Sequence, residues 1–434
     1  MTKPTFKKFI CRLEGRQRTA LIETPNKLTM RILFLSLTLP VPANNGAKMR
    51  TWAVLRALAA EGHEITLLSF AQDDKVNGAN DGETVVSEVC RNIELVPLRL
   101  TNLSTTGDYS RRLAALFSTL PYGVVRFCSE NMKARIRNWI DSQQVDVVLC
   151  DTPYSVINLP AVPSVPLIVN GHNVEHIILH RYVAFEQNLA KKGYAWLEMR
   201  KLRRWEQRAC SRASMVMVCS EVDRVVMRRL CPKTSVMVIP NIVDTETYVP
   251  NGEPDSKTVL FQGGMDWYPN RDAVDFFIAE ILPALRMLVP DARFVVAGRD
   301  PGEVFRRRFL GVAGVEFTGT VPDMRTEIVR ASVCVVPLRI ASGTRLKILE
   351  AGAMAKPIVS TRVGAEGLEF TDRKEIMLAD EPLTFAKAVA ELITDPLRRQ
   401  ILGQTARRRV EQQYSFPFLR AALREALTQF VERP

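Results

Sequence analysis

The chain has 434 residues, enough for two domains with substantial cores. Hydrophobic residues make up 47% and charged residues 24%, an ordinary balance for a soluble globular protein, and no apolar run approaches the roughly 20 residues of a spanning helix. The net charge of +12 favours anionic partners such as nucleotides or anionic lipid surfaces, while the lack of any nucleic-acid motif ranks nucleic acid last.

Eight scattered cysteines without a C-x-x-C pair fit a reducing cytoplasm and argue against a zinc ribbon. Residues 1–29 hold seven Lys and Arg against Glu14 and Glu23 and show no apolar period. They are expected to form a basic extension, either preceding a native start at Met30 or lying near a membrane surface. Arg31–Leu37 reads as a buried strand, followed by a Pro- and Asn-bearing loop to Gly46 and a helix from Ala47. Strand, glycine loop and helix in that order let backbone approach a phosphate. Glu64–Phe70 and Ile93–Leu98 read as further strands, with a polar surface loop expected over 72–87 and helices over 109–119 and 124–140.

Val145–Cys150 is a clean strand ending in Asp151 and Tyr154. Carboxyl ends of parallel strands face the ligand crevice, which makes both acceptor-side candidates; the alternative is a helix cap by Asp151 or Thr152. Pro166–Asn170 leads into Gly171-His172-Asn173-Val174-Glu175-His176. His172, His176 and His180 fall four apart, so a shared metal face is one reading, weakened by the lack of an H-E-x-x-H order. A turn histidine bonded to backbone is another. Residues 184–212 read as one long basic helix with Trp196 and Trp205, suited either to an anionic bilayer or to a solvated face. Val236–Pro240 closes a first domain, 30–240, and the Pro- and Gly-bearing stretch 241–256 reads as a linker. A second domain, 257–415, opens with strand Thr258–Gln262 and Gly263-Gly264, and residues 416–434 are a final helix.

The densest chemistry lies in Ala341–Pro357, after the apolar run Val333–Leu338. Gly343 and Thr344 are expected to open a helix whose free N–H groups favour an anion. On a 3.6-residue turn Gly343, Lys347, Glu350 and Met354 share a stripe. Phosphates at the helix start and ribose hydroxyls at the carboxylate would suit a nucleoside diphosphate. The bland alternative is a strand–helix corner with a surface Lys–Glu pair.

This segment resembles the donor-site signature of family 4 (group 1) glycosyltransferases. Their pattern has two glutamates eight positions apart; Glu350 matches the second, Lys-Pro-Ile-Val-Ser (356–360) follows as expected, and Ser342 stands at the first. Gly-Thr-Arg-Leu-Lys (343–347) and Val-Gly-Ala-Glu-Gly-Leu (363–368) are similar to an exopolysaccharide-associated subgroup. The resemblance implies the α/β GT-B fold: two doubly wound Rossmann-like domains facing across a cleft. It implies sugar transfer from a nucleoside diphosphate sugar to a glycan or lipid-linked hydroxyl, with retention and without a metal cofactor. Gly46, Gly343, Thr344, Arg345 and Lys347 are then expected at the donor phosphates. Gly298, Arg299, Val321 and Glu350 are expected at the nucleoside, and His172 at the donor sugar. Asp151, Asn173, Glu175 and Ser342 are placed on the acceptor or sugar side. A cytoplasmic protein at the inner membrane face is expected. The rival readings are an epimerase of similar architecture and a non-catalytic nucleotide-sugar-binding subunit.

Overall fold

The computed structural model describes residues 29–72, 79–98, 112, 115–162, 164–255, 257–299 and 302–432. The expected basic extension falls outside them except at Thr29. Among the described residues the strands form two parallel sheets. The first contains β1 (Arg31–Ser36), β2 (Glu64–Gln72), β3 (Asn92–Leu98), β4 (Val147–Cys150), β5 (Leu167–Asn170), β6 (Met215–Val218) and β7 (Ser235–Val238), in the order β3-β2-β1-β4-β5-β6-β7. The second contains β8 (Thr258–Gln262), β9 (Arg293–Ala297), β10 (Val315–Gly319), β11 (Val333–Val336), β12 (Ile358–Ser360) and β13 (Met377–Leu378), in the order β10-β9-β8-β11-β12-β13.

Central strands such as VVLC in β4, MVMV in β6 and VCVV in β11 are buried at every residue. Unbroken apolar runs of this kind are what a strand covered by helices on both faces requires. The first sheet has a separate core on each face, and the second is wrapped in one continuous core. These are the two doubly wound lobes that the sequence implies.

Three local expectations change. The polar stretch 72–87 contains a helix, Ala79–Ser87, because Val86 is fully buried and anchors it. The expected helix over 124–140 is two, Tyr122–Val125 and Glu130–Asp141, the second capped by Ser129 accepting from the Met132 N–H. The long basic helix expected over 184–212 is one helix, but it begins only at Leu189 and runs to Ser211, after a separate helix Glu175–Phe185. Asn188 starts the longer one by accepting the Lys191 N–H at 3.0 Å.

The chain crosses between lobes at one sharp place. Ile242 packs on the first-lobe core, while Val243 already belongs to the second-lobe core. The stretch read as a linker is therefore partly structural, since Tyr248 also packs in the second lobe. Beside this crossing the Val243 N–H donates to the Tyr414 carbonyl at 3.0 Å, where the chain returns. The last helix, Phe416–Val431, buries Leu419, Leu423, Ala426 and Leu427 against Val54, Leu55 and Leu58 of the first lobe. Arg424 and Arg420 both bond Glu61 at its foot, at 2.7 and 2.8 Å.

Candidate functional site

Each sheet reverses its strand order once, between β1 and β4 in the first and between β8 and β11 in the second. Crevices in doubly wound sheets open at the carboxyl ends of strands flanking such a reversal. The segments leaving these four strands carry Gly46, Asp151, Gly263-Gly264 and Ser342–Lys347.

Two helix starts meet there. The helix Gly46–Ala60 is capped by Asn45, whose Oδ1 accepts the Lys48 N–H at 3.0 Å. The helix Leu346–Ala353 has no side-chain cap. A Cβ on Gly46 would lie 3.4 Å from Leu346 Cδ1, so the two starts are in contact across the lobes. Both ends carry partial positive charge. Lys347 adds to it: its Nζ lies 4.1 Å above the Phe261 ring and donates to Asn270 Oδ1 at 2.9 Å. Burial lowers the Lys347 pKa to about 7, against the pull of Glu350. One turn on, Glu350 accepts from Tyr248 Oη at 3.1 Å and from Gln262 Nε2, and burial raises its carboxyl above the usual range. A positive crevice with a pinned carboxylate beside it can hold a diphosphate and a diol.

Three expected phosphate ligands are engaged elsewhere. The helix starts at Leu346, after Gly343 and Thr344, so their N–H groups are not in its first turn. Gly343, at φ +73°, points its N–H at the Asp223 carboxylate of the first lobe. A Cβ there would come within 2.5 Å of Asn173 Oδ1 and 2.6 Å of the His172 carbonyl oxygen, so the position closes the lobe contact instead of cradling phosphate. Thr344 Oγ1 accepts from Asn241 Nδ2 at 2.8 Å. Arg345 is buried and donates to three carbonyls, Ser342 at 2.7 Å, Gly364 at 2.9 Å and Glu366 at 2.6 Å. Its guanidinium braces the 342–366 loops. Ser342 is likewise buried, its Oγ accepting the Val174 N–H at 3.1 Å across the lobes.

On the first-lobe wall, Asp151 is 2% exposed, which removes it as a direct acceptor contact. It sits behind His172, 3.0 Å from Nε2, and takes further bonds from Thr51 Oγ1 at 2.5 Å and Asn170 Nδ2 at 3.0 Å. Burial pushes its pKa up, but His172 and the two donors outweigh this and hold it below the usual range. Asn173 Nδ2 donates to Glu175 Oε1 at 3.1 Å. Burial raises the Glu175 carboxyl, with the Glu206 charge adding to the effect. The three histidines do not share a face for metal: His172 meets Asp151, His176 meets Glu206 at 2.6 Å, and His180 is exposed.

At the nucleoside end, Gly298 has φ +139°, and a Cβ would collide with the Gly263 carbonyl. It thus allows the ends of β8 and β9 to close on each other. Arg299 pairs with Asp266 at 2.5 Å beside the Gly264 loop, and Val321 lies half-buried after β10. Sequence reasoning missed Asn270, Tyr248 and Gln262, which hold Lys347 and Glu350. It also missed Glu206, which caps the helix Glu175–Phe185 by accepting the Glu175 N–H at 2.9 Å and the His176 N–H at 3.2 Å. Arg181, which clamps Glu366 across the lobes at 2.6 and 2.8 Å, completes the set. All but Gln262 lie in helices or loops distant in sequence from the partner they hold, so no local motif marks them.

Two doubly wound lobes with helix starts opposed across a crevice define the GT-B class. Two family profiles match: Glycosyltransferase Family 4 over residues 44–247 and Glycosyl transferases group 1 over residues 256–395. The chain belongs to the family 4 (group 1) glycosyltransferases, and its activity is sugar transfer. A Klebsiella pneumoniae protein described as an uncharacterized 44.6 kDa protein in the cps region is 20% identical over 83% of this chain and 90% of its own length. The phosphatidylinositol N-acetylglucosaminyltransferase gpi3 subunit of Schizosaccharomyces pombe is 27% identical over 45% of this chain, an alignment spanning 43% of that protein. Sucrose-phosphate synthase from Thermosynechococcus elongatus superimposes with TM-score 0.67 at 18% identity, covering 93% of this chain and all of that one. Anabaena HepE in complex with UDP and glucose gives 0.65 at 16% identity, covering 92% of this chain and 99% of that one.

Proposed function

We propose that this glycosyltransferase takes its sugar from a nucleoside diphosphate sugar and delivers it to a hydroxyl of a glycan or lipid-linked acceptor. The reading includes retention of anomeric configuration, no metal cofactor, and a role in exopolysaccharide or cell-surface glycan synthesis. The observation that carries it is the contact between Gly46 and Leu346, two positive helix starts with Lys347 beside them. Negative charge builds on the departing diphosphate in the transition state, and dipoles and a cation fixed in advance stabilise it. Glu350, oriented by Tyr248 and Gln262, is assigned to the ribose hydroxyls, and Gly298, Arg299 and Val321 to the base. His172, held by Asp151, is assigned to the donor sugar, with Asn173 and Glu175 beside the acceptor. The UDP bound by HepE and the setting of the Klebsiella relative in a cps region support the donor and the pathway class.

Thermal shift against a panel of nucleoside diphosphates tests the donor, because a ligand that binds only the native state raises apparent stability. One diphosphate should raise the melting temperature of the wild type, and Lys347→Ala should abolish that rise and cut turnover by about 100-fold. Product NMR on the acceptor reads retention directly. A Lys347→Ala enzyme with wild-type turnover would remove the phosphate assignment.

The helix Leu189–Ser211 turns Lys191, Trp196, Arg200, Arg203 and Arg204 outward, with Leu189 82% exposed at its start. Among the described residues no helix is long and apolar enough to cross a membrane. We assign this face to peripheral contact with an anionic bilayer at the inner membrane surface, where a lipid-linked acceptor would be met.

A further inference from the structure

Behind the crevice, one buried cation is tied both to the His172 pair and to the second lobe. Arg50 lies one turn into the helix Gly46–Ala60 and is 3% exposed. Among the described residues it forms no ion pair. Its Nη2 and Nε donate to Asn170 Oδ1 at 2.7 and 3.1 Å. Its Nη1 donates to the Ile239 carbonyl at 2.9 Å and to Asn241 Oδ1 at 3.0 Å. A buried guanidinium without a paired carboxylate costs stability, so packing alone would favour an apolar side chain here.

Chemistry fixes the direction of the bonds around it. A guanidinium only donates, so both asparagines must turn their oxygens to Arg50 and their amino groups away. Asn170 Nδ2 then donates to Asp151 Oδ1 at 3.0 Å, and Asn241 Nδ2 to Thr344 Oγ1 of the second lobe at 2.8 Å. Asp151 is held ionised, so the hydrogen it shares with His172 at 3.0 Å sits on Nε2. That leaves Nδ1 as the ring nitrogen available to a ligand. Thr51, next to Arg50 in the same helix, holds the other Asp151 oxygen at 2.5 Å. One chain of bonds, with Arg50 donating both ways from its middle, thus runs from Thr344 through Asn241, Asn170 and Asp151 to His172.

We propose that Arg50 is a positioning residue that couples lobe closure to the orientation of His172. With the lobes together, Thr344 keeps the Asn241 oxygen on Arg50, and the guanidinium keeps Asn170 and Asp151 in register. Separation removes Thr344, frees the Asn241 amide to turn, and releases one arm of the guanidinium; His172 then loses its aligned acceptor. The first-lobe wall is completed only when the donor lobe is in place. The consequence for transfer rests on the assignment of His172 to the donor sugar; the coupling itself does not.

The test uses the full chain carrying isotope-labelled histidine. There are only four histidines, and the signal lost in His172→Gln identifies the ring. Without nucleotide, wild type should show a single Nε2-protonated ring with a slowly exchanging proton. Arg50→Met and Asn241→Leu should each speed that exchange about tenfold, as expected for losing a bond to a charged group. Both should lower kcat for the nucleotide sugar about tenfold, with donor KM within about twofold. The double variant should be no worse than Arg50→Met, because both changes cut one chain. Asn241→Asp still accepts from Arg50 and can accept the Thr344 hydroxyl proton, so it should restore the ring signal and kcat. An unchanged ring proton in folded Asn241→Leu overturns the proposal, even where Arg50→Met fails to fold. So do additive losses, which would carry closure to His172 through the approach of Gly343 to its carbonyl. A His172→Gln enzyme with full turnover, beside a ring proton that still answers to Asn241→Leu, would keep the coupling and remove only the donor-sugar assignment.

Discussion

At the scale of single residues, Lys347 carries the most testable chemistry. Its ammonium is half-desolvated between Phe261 and Asn270, which is why its pKa falls to about 7. A bound diphosphate favours the charged form, so its pKa in the complex lies above that in the free protein. Above pH 7 nucleotide binding must then take up a proton, and affinity should weaken as pH rises from 7 toward 9. Calorimetry of UDP or GDP binding in buffers of different ionisation enthalpy measures that uptake directly. A Lys347→Arg variant, charged throughout the range, should lose the pH dependence. The sign for stability is the same in origin: the unfolded chain holds the Lys347 proton between about pH 7 and the ordinary lysine value near 10.4, so this group makes the fold more stable as pH rises through that window. Lys347 and Glu350 are legible in the sequence because one helix carries both at a fixed spacing. Arg345 is not: the same helix-start composition that reads as a phosphate site also serves a buried arginine bracing three carbonyls. Which role wins is decided by where residues 364 and 366 fold, and no local pattern encodes that.

At the scale of elements, the strands are the part the sequence declares most openly. Buried parallel strands must be apolar throughout, and β4, β6 and β11 are. Helix ends are harder, because a cap depends on one short side chain: Asn188 starts at Leu189 a helix that composition alone begins near residue 184. The closing helix Phe416–Val431 shows how far an element can matter from its place in sequence. Its apolar stripe completes the core of the lobe built first. Leu423, fully buried there, should cost roughly 2–5 kcal/mol when cut to alanine, read by urea unfolding. A probe in the first lobe, such as Trp139 fluorescence, should report the loss as fully as one in the second lobe. On the basic helix Leu189–Ser211, Lys201 and Trp205 are buried, bonding Ala115 and Pro153 carbonyls at 2.7 and 3.1 Å, so they are removed from the membrane face that composition gives them. Arg200→Glu with Arg203→Glu should reduce co-sedimentation with phosphatidylglycerol vesicles several-fold and leave pelleting with phosphatidylcholine vesicles unchanged.

At the scale of the whole molecule, the lobes are joined by direct bonds: Arg181 to Glu366, Val174 to Ser342, Asn241 to Thr344, and Tyr268 to the Ile178 carbonyl at 3.3 Å. Closure of this kind excludes water from the reacting sugar. Arg181→Ala removes a half-buried bidentate pair. We expect it to raise the ratio of nucleotide-sugar hydrolysis to transfer by about tenfold, measured by free sugar released per acceptor turnover, with little change in UDP affinity. An unchanged ratio would separate the Arg181–Glu366 contact from catalysis. The two-lobed plan was legible from strand spacing and the family resemblance. The bonds between lobes were not, since they join residues 90 or more positions apart whose types are unremarkable alone.

The chain passes between the lobes at Ile242–Val243 and comes back just after Tyr414, and a main-chain bond ties the outgoing strand to the returning one. A protease that nicks the outgoing segment near Gly252 would therefore yield two pieces that stay together, each still carrying part of the other's half. Only a second cut, freeing the terminal helix, would let the halves drift apart.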